Sequence, residues 1–293
     1  MSGVLWAAIA GVGFGLFQSV NRASVEDLDL YRSTFIQLVV SAVILSVATA
    51  VSGDVSPLRS IPATALLNFS LAGLAHFVVG WTLLNASQQR LGAARTGPLI
   101  ATTPLFGAIV AAITLGEVPG FVTTLGIATI VAGAFVVASG EGSLGRLRMS
   151  WRSSSFGLGT ALCWAISPIF IRRGLEEFDH PLAGVTISML AAVGAYAVAM
   201  LARGHRASPN ASRTAITWKL GAGVLVGLST WARWYALSLA SVAAVLGLAL
   251  LSIPTVMVLA PLLVGREHER VTPPVVIGAA LVIAGALVLI VNA

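Results

Sequence analysis

Two ionisable side chains lie deep inside long apolar stretches of this sequence, and they are the first candidates for chemistry. His76 stands in the apolar run 64–89 and Arg233 in the run 218–239. Arginine carries a permanent charge that can bind a carboxylate, and histidine titrates near neutral pH or donates a hydrogen bond. Polar groups in such stretches mark candidate solute pathways. The structural alternatives are an arginine that reaches the membrane interface and a histidine bonded to a nearby carbonyl.

Aromatic residues are the second candidate group. A tryptophan in the middle of an apolar helix needs a partner for its indole N–H. A cavity of aromatic side chains beside His76, with one amide, would suit a flat amphipathic solute. The residues of this candidate lining are Phe14, Gln18, Trp81, Trp164 and Trp231. Ordinary packing between helices is the alternative for each aromatic residue.

The acidic residues narrow the possible substrates. All eleven fall in loops or at the ends of apolar runs. An exchanger of cationic drugs needs a carboxylate inside the membrane, so we expect neutral, zwitterionic or anionic substrates. Nucleotide-binding, metal-binding and catalytic-triad motifs are missing from the sequence, so we expect neither an enzyme nor a cofactor nor a metal.

These candidate residues lie in segments whose length and composition are typical of membrane helices. The chain has 293 residues, of which 57% are hydrophobic and only 10% charged. An average soluble domain has about 25% charged residues, and a spanning helix needs about 20 mostly apolar residues. We therefore predict an all-α integral membrane protein. Its ten predicted spans are 3–21, 32–52, 64–89, 95–115, 121–140, 155–173, 182–202, 218–239, 242–263 and 273–291.

The sequence also repeats itself after about 150 residues. Pairs of identical residues recur at this spacing, and the last ones follow a two-residue slip. They are Arg22 and Arg172, Ala72 and Ala222, Gly73 and Gly223, Trp81 and Trp231, Ala86 and Ala236, Pro104 and Pro254, Glu117 and Glu267, Gly126 and Gly278, Ala132 and Ala284, and Gly133 and Gly285. We predict a first repeat over 1–143, a linker over 144–154 and a second repeat over 155–293. Because each half has an odd number of spans, five, the halves must be inverted.

The basic residues predict the orientation. Thirteen of the 17 Lys and Arg residues fall on one face of the membrane. Three, Arg59, Arg172 and Arg173, fall on the other, and Arg233 lies within a span. Positive residues stay in the cytoplasm, so we expect both termini to be extracytoplasmic. The basic residues sit in short loops, so no nucleic-acid partner is expected.

Two stretches carry a resemblance to a known family. Leu91-Gly92-Ala93-Ala94 leads through Pro104 to Gly116-Glu117, and Ser241-Val242-Ala243-Ala244 leads through Pro254 to Gly265-Arg266-Glu267. Each stretch precedes a glycine-rich helix. The whole chain resembles the drug/metabolite transporter superfamily, EamA-like branch, whose members move amino acids, nucleotide sugars, sugars, metabolites and drugs.

The resemblance implies transport, and prolines inside the spans are candidate hinges for it. Pro104, Pro168 and Pro254 interrupt helix hydrogen bonding, and a static kink is the alternative. We expect a secondary transporter of the bacterial inner membrane that works by alternating access and exports amino acids, aromatic ones included. Its partners are a small-molecule substrate and the lipid bilayer. One chain can enclose the site, so a monomer suffices and a dimer stays open.

Two other functions remain open. One is transport of another neutral or anionic solute, such as a nucleobase, a sugar, a sugar phosphate or a drug. The other is a role as a scaffold or lipid flippase without solute transport.

Overall fold

The first half of the chain folds into helices at each of its five predicted spans. The computed structural model describes residues 2–22, 30–52, 57–91, 93–140, 151–202, 213–263 and 272–292, and these contain no strand. The first-half helices are α1 (Gly3–Arg22), α2 (Leu30–Val51), α3 (Ala63–Gly73), α4 (Trp81–Leu91), α5 (Ala93–Ile100), α6 (Thr103–Leu115) and α7 (Phe121–Gly140). A short 3₁₀ turn, Pro57–Ser60, precedes α3, and a π-helical segment, Leu74–Gly80, joins α3 to α4.

The second half repeats this pattern. Its helices are α8 (Trp151–Glu177), α9 (Pro181–Ala202), α10 (Arg213–Leu239), α11 (Val242–Leu248), α12 (Ser252–Leu263) and α13 (Pro273–Val291), with a 3₁₀ turn, Ala249–Leu251, between α11 and α12. The largest departures from the predicted bounds are at α8 and α10. Both helices begin several residues early, because their polar first turns lie outside the apolar window that located the spans.

The predicted fold class is confirmed. Within the described residues, eight helices or uninterrupted helical runs are long and apolar enough to cross a membrane, and α6 is a shorter apolar helix. Many large apolar side chains remain exposed along these helices, as expected for a protein that faces lipid.

The contact between helices α7 and α13 shows the inverted symmetry of the two halves. A Cβ atom built on Gly133 would lie 2.6 Å from the Gly278 carbonyl oxygen, and one built on Gly278 would lie 2.5 Å from the Gly133 oxygen. A Cβ on Gly285 would likewise lie 2.7 Å from the oxygen of Gly126. Because Gly126 matches Gly278 and Gly133 matches Gly285 in the repeat, the contact maps onto itself when the halves are exchanged. We call these four glycines the α7–α13 seam, and the pseudo-two-fold axis passes through it.

The fourth span of each half is broken at the same place in the repeat. In the first half the break lies between α5 and α6, just before Pro104, and in the second between α11 and α12, just before Pro254. A proline supplies no N–H to the carbonyl four residues earlier. In the first half, the Thr103 hydroxyl donates instead to the Ile100 oxygen, at 2.6 Å. Two half-helices therefore meet near the middle of each span.

Candidate functional site

The two ionisable residues singled out in the sequence are in direct contact. Arg233 Nη2 lies 3.4 Å from His76 Nδ1, and the two side chains are only 4% and 7% exposed. A guanidinium can donate hydrogen bonds but not accept them. A hydrogen bond at this contact has Nδ1 of His76 as its acceptor, which corresponds to the tautomer with the imidazole proton on Nε2.

Trp164 of α8 holds the histidine from a second side. Its ring lies parallel to the imidazole, with centroids 5.3 Å apart and planes 19° from parallel. Its indole N–H donates to the backbone oxygen of His76 at 3.2 Å. This bond falls within the π-helical segment, a type of distortion that is frequent at functional sites. Gly80 ends that segment, and the absence of a side chain there makes room for the indole ring.

Helix α1 closes the site beside the arginine. The Phe14 ring centroid lies 5.9 Å from Cζ of Arg233, a cation–π distance. Gln18 is exposed and lies one helical turn after Phe14, on the same side of α1. The opposite side of α1 lines a surface groove of about 510 Å³ with Leu5, Ile9, Val12 and Leu16. That groove is apolar and faces lipid.

The remaining predicted aromatic residues divide into two places. Trp81 packs edge-on against Phe77 at 5.5 Å, and Phe77 in turn packs against His76 at 4.7 Å, so Trp81 extends the site by one ring. Trp231 packs instead against Trp6 at 5.7 Å. Residues 231 and 233 point to nearly opposite sides of α10, so Trp231 is separated from the arginine.

Arg233 has no carboxylate partner among the described residues. Its Nε is buried and makes no hydrogen bond there, and the same holds for Oγ of Ser167, one turn from Trp164 on α8. Buried polar atoms of this kind call for an explanation, since leaving them unpaired costs about 1–3 kcal/mol each. A permanent cation with an unused donor, enclosed by aromatic rings, is suited to bind an anionic group.

The predicted hinge prolines lie within the broken fourth spans and within α8, the helix that carries Trp164. Pro104 and Pro254 follow the two helix breaks, and Pro168 lies inside α8, one residue after Ser167. Pro168 supplies no N–H to the carbonyl of Trp164, because that carbonyl lies four residues earlier. The structure places these residues where a hinge would be useful, and the hinge role itself stays a prediction.

Glu117, just after the fourth span of the first half, accepts hydrogen bonds from the second half. One carboxylate oxygen accepts from Arg172 Nη2 at 2.7 Å, and the other accepts the Val242 backbone N–H at 2.9 Å. Glu267 lies outside the described residues. At the opposite membrane face, buried Lys219 donates to the side-chain oxygen of Asn21 at 2.6 Å.

Sequence reasoning missed several neighbours of the site. Phe77 adjoins His76 in the chain and Phe17 is stacked 6.5 Å from Trp81, and both could have been found from their spacing. The π-helical segment and the close approach at Gly80 leave no recognisable pattern in the residues. Within the described residues, no group of three or more His, Cys, Asp or Glu side chains could hold a metal.

The fold and site define a class of protein. Two inverted halves with broken helices, which enclose a buried arginine that has no carboxylate partner among the described residues, are the architecture of a secondary membrane transporter. The model of the EamA-like transporter family matches residues 1–139 and again 151–291, and the chain belongs to this family of drug/metabolite transporters.

Similarity to a solved structure supports the fold. A crystal structure described only as "Crystal structure of protein" is 16% identical to this chain and superposes with a TM-score of 0.78. The similarity covers 99% of each chain. Among curated proteins, none matches this chain.

Proposed function

We propose that this transporter exports amino acids, aromatic ones included, with the substrate carboxylate bound by Arg233. The observation that carries the proposal is the buried guanidinium, which has an unused Nε donor and no carboxylate partner in the described structure. A bidentate pair with a carboxylate would satisfy Nε and one Nη group together. The aromatic rings of Phe14 and Trp164 beside it offer a surface for an aromatic side chain.

A phosphorylated substrate is the second candidate, and the charges favour it less. A phosphate carries up to two negative charges and is usually held by several cations. The other buried cation in the described structure, Lys219, already donates to Asn21 at a membrane face.

The orientation of the chain in the membrane is part of the proposal. It follows from the distribution of Lys and Arg, and it puts both termini on the extracytoplasmic side of a bacterial inner membrane.

Flux into proteoliposomes tests the proposal. We expect labelled phenylalanine or tryptophan to be transported, and phenylalaninamide, which lacks the carboxylate, to be a poor substrate. Arg233→Gln should abolish the preference for the acid over the amide. Arg213→Gln is the matched control, since Arg213 is an exposed arginine at the start of the same helix.

The choice of substrate class depends on two comparisons. Equal uptake of every amino acid by liposomes with and without the protein would refute amino-acid transport. Flux of the acid and the amide that Arg233→Gln reduces equally would refute carboxylate recognition by this residue. Trp164→Ala and His76→Ala should abolish flux if the solute binds between the halves.

A further inference from the structure

Glu117, which follows α6 of the first half, bonds directly to α8 and α11 of the second half and reaches α10 through Arg172. Its carboxylate pairs with Arg172 at 2.7 Å and accepts the N–H of Val242, the first residue of α11. Arg172 also donates from Nη1 to the Leu237 oxygen near the end of α10, at 2.7 Å. The carboxylate and the guanidinium are only 20% and 26% exposed, so the pair is partly shielded from water. All of these groups lie at the membrane face that carries few Lys and Arg residues, which we call the arginine-poor face.

The half-helix that Glu117 holds is completely packed. All seven residues of α11 are buried. Leu246 fills the space beside Gly107 of α6, where a Cβ atom would touch its Cδ1. Gly247 lies against Ile127 and Leu289, from the two seam helices. At the arginine-poor face, α11 is therefore packed between α6 and the two seam helices.

The position equivalent to Gly247 is packed less closely in the first half. The repeat places Gly97 of α5 there, but Gly97 is exposed and a Cβ built on it would meet no atom within 4 Å. Elsewhere α5 is packed, since Thr96 is fully buried and Leu99 lies against Gly157 of α8. The two half-helices therefore differ at this position, and α11 is the one in which all seven residues are buried.

A candidate hinge lies at the end of α11. The helix ends at Leu248, and the 3₁₀ turn Ala249–Leu251 follows. Pro254 supplies no N–H to the carbonyl of Leu250, so the connection to α12 lacks one helical hydrogen bond. A half-helix with a weak connection at one end and a charged contact at the other can pivot when that contact breaks.

We propose that Glu117 and Arg172 form a latch that keeps α11 closed, and that its release opens the cluster of His76, Arg233 and Trp164, here called the central site, at the arginine-poor face. The latch rests on alternating access as the mode of transport but not on any particular substrate. Arg22 and Glu267 stand one repeat away from Arg172 and Glu117 in the sequence. Glu267 and the side chain of Arg22 lie outside the described residues.

The test measures how fast buried cysteines in α11 react with a membrane-impermeant maleimide. Ala243→Cys and Leu246→Cys are introduced singly into a Cys163→Ala background, which removes the chain's one cysteine. The reagent is added to membrane vesicles of both orientations, so that the result does not depend on which face is cytoplasmic. No substrate is needed, so this test can fail independently of the proposed amino-acid transport.

We expect Glu117→Gln to raise the labelling rate from the arginine-poor face about tenfold, the effect of losing one charge-assisted hydrogen bond. Both reporters should accelerate by the same factor, because a pivot at residues 249–251 exposes the whole half-helix. Arg172→Lys should act in the same direction more weakly, since one ammonium replaces a fork that reaches two partners. The double variant Glu117→Gln/Arg172→Gln should gain no more than the stronger single variant.

Glu177→Gln is the matched control, since Glu177 lies at the same face and bonds Thr64 rather than α11. The latch is refuted if Glu177→Gln accelerates labelling as much as Glu117→Gln does. It is also refuted if Glu117→Gln and Arg172→Lys both leave the rate unchanged. Acceleration at position 243 alone would show that the first turn frays and that α11 does not pivot.

Discussion

Gly80→Ala tests how tightly the central site is built. The added methyl group would lie 2.7 Å from Nε1 and 2.9 Å from Cδ1 of Trp164, and 3.1 Å from the backbone oxygen of Ala75. The backbone oxygen cannot easily move, so the indole must withdraw by about 0.7 Å to reach an ordinary contact distance of 3.4 Å. That movement breaks the hydrogen bond to the His76 oxygen and shifts the ring that lies on the imidazole.

The expected change in the free energy of unfolding combines one stabilising contribution and two destabilising ones. Alanine is favoured over glycine in a helix by about 1 kcal/mol. Overpacking costs about 1–3 kcal/mol, and the lost hydrogen bond costs about 1 kcal/mol more. We therefore expect Gly80→Ala to lower the free energy of unfolding by about 1–3 kcal/mol. Flux should fall about tenfold or more, because a displacement approaching 1 Å is costly at a binding site.

Thermal unfolding in detergent, followed by tryptophan fluorescence, and flux in proteoliposomes are the two assays. Gly97→Ala is the matched control, because a methyl group there meets open space and should leave the melting temperature unchanged or raise it. Equal melting temperatures and equal fluxes for the two variants would show that the indole is not held against the π-helical segment. The account of the site given above would then be wrong.

Two further predictions concern the scaffold and the helix breaks. Gly133→Ala should lower the melting temperature markedly, because its methyl group meets backbone atoms of α13 that cannot rotate away; Gly194→Ala, where a Cβ has open space, is the control, and equal melting temperatures would contradict close packing at the seam. Pro254→Ala restores an N–H to the Leu250 carbonyl, so the melting temperature should stay the same or rise while flux falls. Unchanged flux would show that the break is a static kink.

The fold could be predicted well from the sequence because the lipid bilayer requires each spanning helix to be apolar. A helix that crosses the bilayer must be apolar over its whole length, so hydropathy alone located the spans to within a few residues. The repeat of Gly126 and Gly133 at Gly278 and Gly285 predicted two related halves, and the odd number of spans predicted their inversion. The π-helical segment could not be predicted, since the shift of a hydrogen bond by one residue needs no special residue type.

The site was predicted in part, for a different reason. His76 and Arg233 were found because each is an ionisable residue inside an apolar run, and Trp164 and Phe14 because they are aromatic residues within the predicted spans. Trp231 was grouped with them although residues two apart on a helix face nearly opposite directions. Helical phase would have separated Trp231 from Arg233, whereas the contact between Trp231 and Trp6 depends on packing that no single sequence reveals.

The α7–α13 seam has a consequence for how this protein can vary through evolution. Because the contact is reciprocal, a larger side chain at Gly133 meets the backbone at Gly278, and a larger one at Gly278 meets the backbone at Gly133. A larger residue on one helix cannot be offset by a smaller residue on the other, because the facing residue is already a glycine. In the proposed function, side chains such as Phe14 and Trp164 near Arg233 set the substrate preference, and they can diverge while the line that joins the two halves stays fixed.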